Sequence, residues 1–279
     1  MGAGAGTCDD GPVDDRYTHG HQEAVLRSHR WRTAENSAAH LLPHLGPGQR
    51  LLDVGCGPGT LTLDLAERVA PGPVLGLDAS APVVAEAARG ADEHPAGAGV
   101  TFSVGDVHHL AAPDGSFDVV HAHQVLQHLS EPVEALREMR RVLAPGGVLA
   151  LRESDYGAFA WAPDDPVLDR WMELYHQVTR VNRADADAGR HLPGWAARAG
   201  IERLAVTSST WTFATPEDRA WWGGLWAERT EASGFAEQAL EYDLTDHQEL
   251  HRIARGFRRW AAADDGIFVV THVEVVGRA

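Results

Sequence analysis

The stretch that most constrains this chain is Leu51-Leu52-Asp53-Val54, a short apolar run that stops on Gly55-Cys56-Gly57-Pro58-Gly59. Leu61, Leu65 and Val69 then recur at helical spacing. A strand that turns on glycine into a helix opens a crossover unit. Repeated crossovers commit a chain to a parallel sheet with helices on both faces. The pattern does repeat. Residues 74–78, 100–104, 117–121 and 148–152 read as further strands, with helices expected over 83–89 and 132–143. Past residue 155 the alternation loosens. Trp171, Leu174, Tyr175 and Val178 fall on one helical face, and a short helix is expected around 195–199. A sixth strand is expected near 204–213, two helices over about 216–232 and 245–260, and a last strand over 267–276.

Composition enters as exclusion. The 24 basic side chains, all arginine, stand against 40 acidic ones, a formal charge of −16. A phosphate-tracking surface needs a basic face, so nucleic acid is not an expected partner. Without lysine, Schiff-base chemistry and lysine general bases are excluded. Two cysteines, Cys8 and Cys56, make neither a disulfide framework nor a thiolate metal cluster. The 16 histidines come without an acid or cysteine set at metal spacing, so no metal is expected, and His40, His44, His94, His247 and His251 read as surface or capping residues. His108-His109 reads as solvent- or backbone-bound. No apolar run approaches the roughly 20 residues of a membrane span, and no basic-then-apolar leader is visible. A soluble, cytoplasmic chain with no membrane partner is expected, its oligomeric state open between monomer and homodimer.

A glycine turn after a first strand lets backbone N–H groups approach a ligand closely, because glycine adds no side chain and accepts unusual φ. Its surroundings say which ligand. The dinucleotide fingerprint is missed, since the third glycine comes one residue early and Thr60 stands in its place. Asp53 would repel a pyrophosphate, and a phosphate loop needs the lysine this chain lacks. The turn therefore suits a ligand with positive charge and no phosphate. Asp78, followed by Ala79, ends the second strand 19 residues after Gly59 and can accept from both hydroxyls of a ribose. Each bond to a charged acceptor contributes about 1.5–3 kcal/mol. Gly105-Asp106-Val107 ends the third strand and offers Asp106 to an adenine amino group. Ligands of open α/β sheets sit at the carboxyl ends of the strands, where these acids converge.

Asp53-x-Gly55-x-Gly57-x-Gly59, Asp78, Gly105-Asp106-Val107 and Phe117-Asp118-Val119-Val120 together resemble the class I S-adenosylmethionine-dependent methyltransferases. His128-Leu129 and Arg141-Val142-Leu143-Ala144-Pro145-Gly146-Gly147 resemble their ubiquinone/menaquinone-biosynthesis-type small-molecule branch. The resemblance spans about residues 51–152 and is loose after 155. It implies a Rossmann-like α/β fold: a doubly wound, mostly parallel seven-stranded sheet with an N-terminal helical lid and helical insertions after strands five and six. A single domain over 1–279 is expected, with a flexible start and lid over 1–45, a cofactor-binding core over 46–155, and substrate-side helices with the remaining strands over 156–279. The implied cofactor is S-adenosyl-L-methionine. Gly55, Cys56 and Gly57 would lie against its methionine end and ribose, Asp78 and Ala79 at the ribose, Gly105, Asp106 and Val107 at adenine, and His123 and Gln124 at the sulfonium. Asp53 is left between cofactor contact and tying down the turn. Cys56 reads as a packing residue, not a nucleophile.

In such relatives an N-terminal helical segment closes the site. It would bring Tyr17, His19 and His21 into the pocket and set Arg32 against the cofactor carboxylate. The 9 tryptophans fall mostly outside the strands. Trp221, Trp222 and Trp226 share a helical face, usually a core feature, yet the insertions cover the substrate side in this family. Tyr156, Phe159, Trp161, Trp171, Tyr175 and Trp222 are therefore candidates for a flat apolar substrate wall. Tyr17, His21 and His128 are the candidate bases, with Glu153 in reserve at the substrate side. The expected activity is methyl transfer to a small electron-rich aromatic acceptor in specialised metabolism, carbon slightly favoured over oxygen and an indole-like ring plausible. An RNA or protein methyltransferase and a non-catalytic cofactor-binding protein are the rivals.

Overall fold

A computed structural model describes residues 15–20 and 22–278. The expected flexible start, with Cys8, and the candidate His21 lie outside the described residues. Strands β1 Leu51–Val54, β2 Val74–Asp78, β3 Val100–Val104, β4 Phe117–His123 and β5 Leu143–Ser154 pair in parallel in the order β3-β2-β1-β4-β5. Strand β8, Ile267–Arg278, runs antiparallel to β5, and β7, Glu202–Phe213, pairs along its other side. The seven strands expected become eight, because β6, Ala160–Ala162, pairs with the first residues of β8. Three residues carry no periodicity, so only the distant partner makes them a strand.

Helices α1 Glu23–Arg30, α2 Ala34–Ser37, α3 Thr60–Val69, α4 Ala81–Asp92 and α5 Pro132–Val142 accompany the parallel half. Helices α6 Pro166–Val181, α7 Ala188–Arg198, α8 Pro216–Glu231, α9 Gly234–Glu241 and α10 His247–Ala261 fill the second half. Three differ from expectation. The helical lead-in is only α1, α2 and a single turn at Leu42–His44, with irregular chain over 15–20 before them. Helix α7 begins earlier than its tryptophan suggested, and α9 was not expected at all. The start of α8 is set locally: Pro216 stands at its first turn, and Thr215 and Asp218 cap each other.

The alternation buries where it should. Leu51, Leu52 and Val54 of β1 are no more than 2% exposed, Leu51 packing in one core cluster with Leu65 of α3, and Leu52 and Val54 in another with Leu136 of α5. A separate aromatic core, with Trp171, Trp226, Phe257 and Phe268, joins α6, α8 and α10 to β8. Helix α1 closes over this junction, tied to α8 by Arg27–Glu228 at 2.5 Å and to α4 by Arg30–Glu86 at 2.7 Å. His40, expected at the surface, is instead buried 3.8 Å from Glu274, where burial pushes its imidazole down to about 4. Among the described residues no helix is long and apolar enough to cross a membrane.

Candidate active site

A cavity of about 750 Å³ opens at the carboxyl ends of β1, β2, β3 and β4, beneath α1. The turn after β1 forms its floor. Gly55 and Cys56 N–H groups donate to the Leu77 carbonyl at 2.7 and 3.0 Å, which fastens the turn to β2. Gly55 has φ +68°, and a Cβ there would meet Val125 Cγ2 at 2.3 Å. Gly57, φ +56°, faces the cavity, where a Cβ would meet only the His29 ring, at 3.6 Å. The backbone is thus bare where a ligand would lie.

The three acids divide the labour. Asp78 accepts the Gly57 N–H at 3.0 Å on one oxygen and the Ser80 N–H at 2.9 Å on the other, each oxygen keeping acceptor capacity toward the cavity. Asp106 is half exposed and is bound by the His108 N–H at 2.8 Å and the His108 ring at 3.0 Å. Burial opposes its ionisation, but these bonds and the His109 ring hold its carboxyl below the usual range. Both rings of His108-His109 face this carboxylate, His108 buried and His109 largely in solvent as expected. Asp53 takes the Thr62 hydroxyl at 2.6 Å and the His121 ring at 2.7 Å. It lines the cavity, yet its carboxylate ties β1 to α3 and β4. Ala79, Gly105 and Val107 line the same end, and burial raises the Cys56 thiol, which keeps it un-ionised.

At the mouth of the cradle, Arg32 donates to the Gln124 amide oxygen at 2.6 Å. Gln124 sits at φ +55° after β4, unusual for a residue with a side chain. Its amide is pinned by Ser154 at 2.6 Å and His272 at 2.9 Å. Beside it the His123 ring has neither nitrogen partnered, and Arg32 Nε is buried without a partner. These features fit the cofactor that the resemblance implies. A bare glycine backbone, a carboxylate for a diol and a guanidinium for a carboxylate surround one space.

The far end of the cavity is aromatic. Tyr17, His19 and His128 enter it, as do Tyr156, Phe159, Trp222 and Trp226. Tyr17 stands edge-on to His128 at 4.7 Å and reaches the His29 ring at 3.3 Å. His19 Nε2 meets the Tyr175 hydroxyl at 2.9 Å and the Tyr156 hydroxyl at 3.3 Å, leaving Nδ1 unpartnered. Desolvation keeps these groups neutral. It lowers His19 and His29 well below the ordinary value, takes His128 to about 3, and pushes the Tyr17 phenol up to about 12.

Three expected wall residues are not on the wall. Trp171 and Tyr175 are fully buried behind it, Tyr175 supporting His19, and Trp161 stacks on Phe268 at 5.5 Å. Spacing showed which residues share a helix face, but not that α8 and α10 would cover it. Glu153 is fully buried and accepts the backbone N–H groups of Val125, Leu126 and Gln127. It anchors the turn that carries His128 rather than facing a substrate. Burial still wins over those bonds and raises its carboxyl to about 7. Sequence reasoning missed His29, Trp31, Trp211 and Arg229 on the lining. Only Trp211 gave a signal, as a tryptophan inside a strand.

The comparisons agree with this geometry. Residues 45–205 match the family model described as a methyltransferase domain. Over 273 residues the chain is 33% identical to an uncharacterized methyltransferase of Schizosaccharomyces pombe, covering 95% of this chain and 97% of that one. It is also similar to the solved [4+2]-cyclase SpnF, 26% identical over 94% of this chain and 88% of the other, with a TM-score of 0.50. Phosphoethanolamine N-methyltransferase 2 of Haemonchus contortus, solved with S-adenosyl-L-methionine, shares the fold at 18% identity over 91% of this chain and 56% of that one, TM-score 0.55.

Proposed function

This chain belongs to the S-adenosylmethionine-dependent methyltransferases, and from that premise we propose that it methylates a small electron-rich aromatic acceptor, at carbon rather than oxygen, as a cytoplasmic enzyme of specialised metabolism. The observation that carries this reading is the aromatic far end of the cavity, where Tyr156, Trp222 and Trp226 meet neutral imidazoles. Flat rings recognise flat rings through stacking and area. The −16 charge supports a small molecule over nucleic acid, and residues 1–279 would act as one catalytic unit.

S-adenosylmethionine supplies an electrophilic methyl on a cationic sulfur, which the acceptor's electron pair displaces to leave S-adenosylhomocysteine. The residues of this chain do the rest. Asp78 and Asp106 would hold the nucleoside, Gly57 would let it approach, and Arg32 would hold the methionine carboxylate. Positioning of this kind can lower a barrier by several kcal/mol. The closed aromatic wall would keep water out. His128 Nδ1, unpartnered and neutral, would take the ring proton once the new carbon–carbon bond has formed. A methylated ring carbon that still bears its proton is a strong acid, so a weak base suffices. A phenol needs a stronger base, which supports carbon over oxygen.

Incubating the protein with methyl-labelled cofactor and a pool of aromatic and non-aromatic metabolites, read by mass spectrometry, should yield a labelled aromatic product and S-adenosylhomocysteine. Label found only on non-aromatic compounds would sink the acceptor class. The likeness to the [4+2]-cyclase favours one rival, an acceptor-site reaction that leaves the methyl on sulfur. In that case neither labelled product nor S-adenosylhomocysteine forms.

A further inference from the structure

Two arginines line the cavity, Arg229 buried and Arg32 half-buried. Arg152 is buried against Glu274 at 3.3 Å, and Arg219, buried but off the cavity lining, donates to the Ala214 carbonyl. Among the described residues, Arg32 donates to the Gln124 amide oxygen, and Arg229 to Ser28 Oγ and the Val25 carbonyl; neither meets a carboxylate. Arg229 is 5% exposed, and its Nε is buried without a hydrogen-bond partner. Removing a guanidinium from water is costly unless an anion and hydrogen bonds replace the solvent. A cavity with two such groups is built for two anions.

The arginines are held by different elements. Arg32 is bonded to Gln124 after β4, and its charge adds to the desolvation that keeps His123 and His128 neutral. Arg229 projects from α8 with its guanidinium over the Trp226 ring at 5.1 Å, and it is the dominant charge acting on His19 and Tyr156. The cofactor has one carboxylate, and Arg32 is placed for it. We infer that Arg229 receives a second carboxylate, carried by the methyl acceptor: the substrate is an organic acid, its acid group seated on Arg229 and its ring along Trp222 and Tyr156. The ring part rests on the aromatic-acceptor reading above; the acid part rests on Arg229 alone. Trp226 beneath the guanidinium fixes the plane of the fork, which suits a bidentate carboxylate.

The test uses the full chain loaded with S-adenosylhomocysteine and two pairs of probes measured by calorimetry. One pair is indole-3-acetate and indole-3-acetamide; the other is cyclohexaneacetate and its amide. At least one acid should bind about tenfold or more tighter than its amide. Arg229→Gln should bring that pair within about twofold and leave the affinity for S-adenosylhomocysteine unchanged, whereas Arg32→Gln should weaken S-adenosylhomocysteine. Should Arg229→Gln fail to fold, Arg229→Lys keeps the charge but loses the fork, and it should narrow the acid preference severalfold. The inference is overturned by equal binding of acid and amide in both pairs, by a preference that survives the Arg229 variants, or by loss of S-adenosylhomocysteine affinity in Arg229→Gln. Indole probes that bind without acid preference leave the aromatic reading standing and this one fallen. A preference seen only with the cyclohexane pair does the reverse.

Discussion

The two ends of the cavity are built by different means. At the cradle, all the groups that face the ligand but Arg32, which lies between α1 and α2, sit on a strand end or on the turn directly after it: Gly57 after β1, Asp78 on β2, Asp106 after β3, Gln124 after β4. At the acceptor end the lining is assembled from the irregular lead-in, the turn after β5, β7, α8 and β8. The cradle recognises through bare backbone and fixed carboxylates, so its shape follows from the sheet. The acceptor end recognises through packed side chains, which can change size without disturbing a strand. On the proposed reading, one end would fix the cofactor and the other would be free to set the substrate.

The largest effect should come from breaking the cradle. Asp78→Ala removes the acceptor of two charge-assisted bonds worth about 1.5–3 kcal/mol each, so the S-adenosylhomocysteine Kd should rise about 100-fold or more by calorimetry. An affinity that survives would mean that the cradle is not where the nucleoside binds.

Next in size is a pH contrast between the ends, since the acceptor side holds neutral histidines. Burial lowers His19, His29, His123, His128 and His272. Between about 6.5 and 3 the unfolded chain binds protons that the folded one refuses, so stability falls as pH drops. Glu153 acts in the opposite sense. With its folded carboxyl at about 7 against an ordinary 4.5, the folded state keeps a proton that the unfolded state has lost. Its contribution is therefore full below about 4.5 and declines as pH rises to 7, by about 3 kcal/mol in all. Urea midpoints against pH should show wild type losing stability relative to Glu153→Gln as pH rises across that window. Parallel curves would show that Glu153 titrates as in water.

Smaller still, Trp222→Leu should raise the acceptor KM about tenfold and leave the cofactor Kd unchanged. Trp222 lines only the far end, stacked on Phe213 at 4.3 Å, and such a contact is worth about 0.5–1.5 kcal/mol beyond its area. A matching change in cofactor affinity would erase the distinction between the ends. Smallest should be Arg30→Ala, which cuts the exposed tie between α1 and α4. An exposed pair contributes about 0–1 kcal/mol, so the Tm should move by a few degrees at most, and less in high salt.

The parallel half of the fold was legible because each strand is a short apolar run closed by its own turn residues. So was the cradle, where the spacing from Gly59 to Asp78 encodes one helix and one strand. The lid was legible only in part. The lead-in brings Tyr17 and His19 to the cavity, but its chain over 15–20 is irregular, held by contacts such as the His19 carbonyl to Gly234 N–H at 3.1 Å. Glu153 was visible as a carboxylate at a strand end and was assigned to the substrate, because nothing local shows three backbone N–H groups converging on it. Trp171 and Trp222 look alike in sequence. One is core and the other wall, and the covering helices make the difference.

What the sequence by itself determined is the sheet, the glycine cradle and the acids at the strand ends, since each depends on residues close together in the chain. The tertiary structure alone decided which aromatic rings face the cavity, that β6 is a strand, and that Arg229 is buried beside the site without an acid. Those outcomes depend on which distant surfaces exclude water from a side chain, and burial is a property of packing that local spacing does not carry.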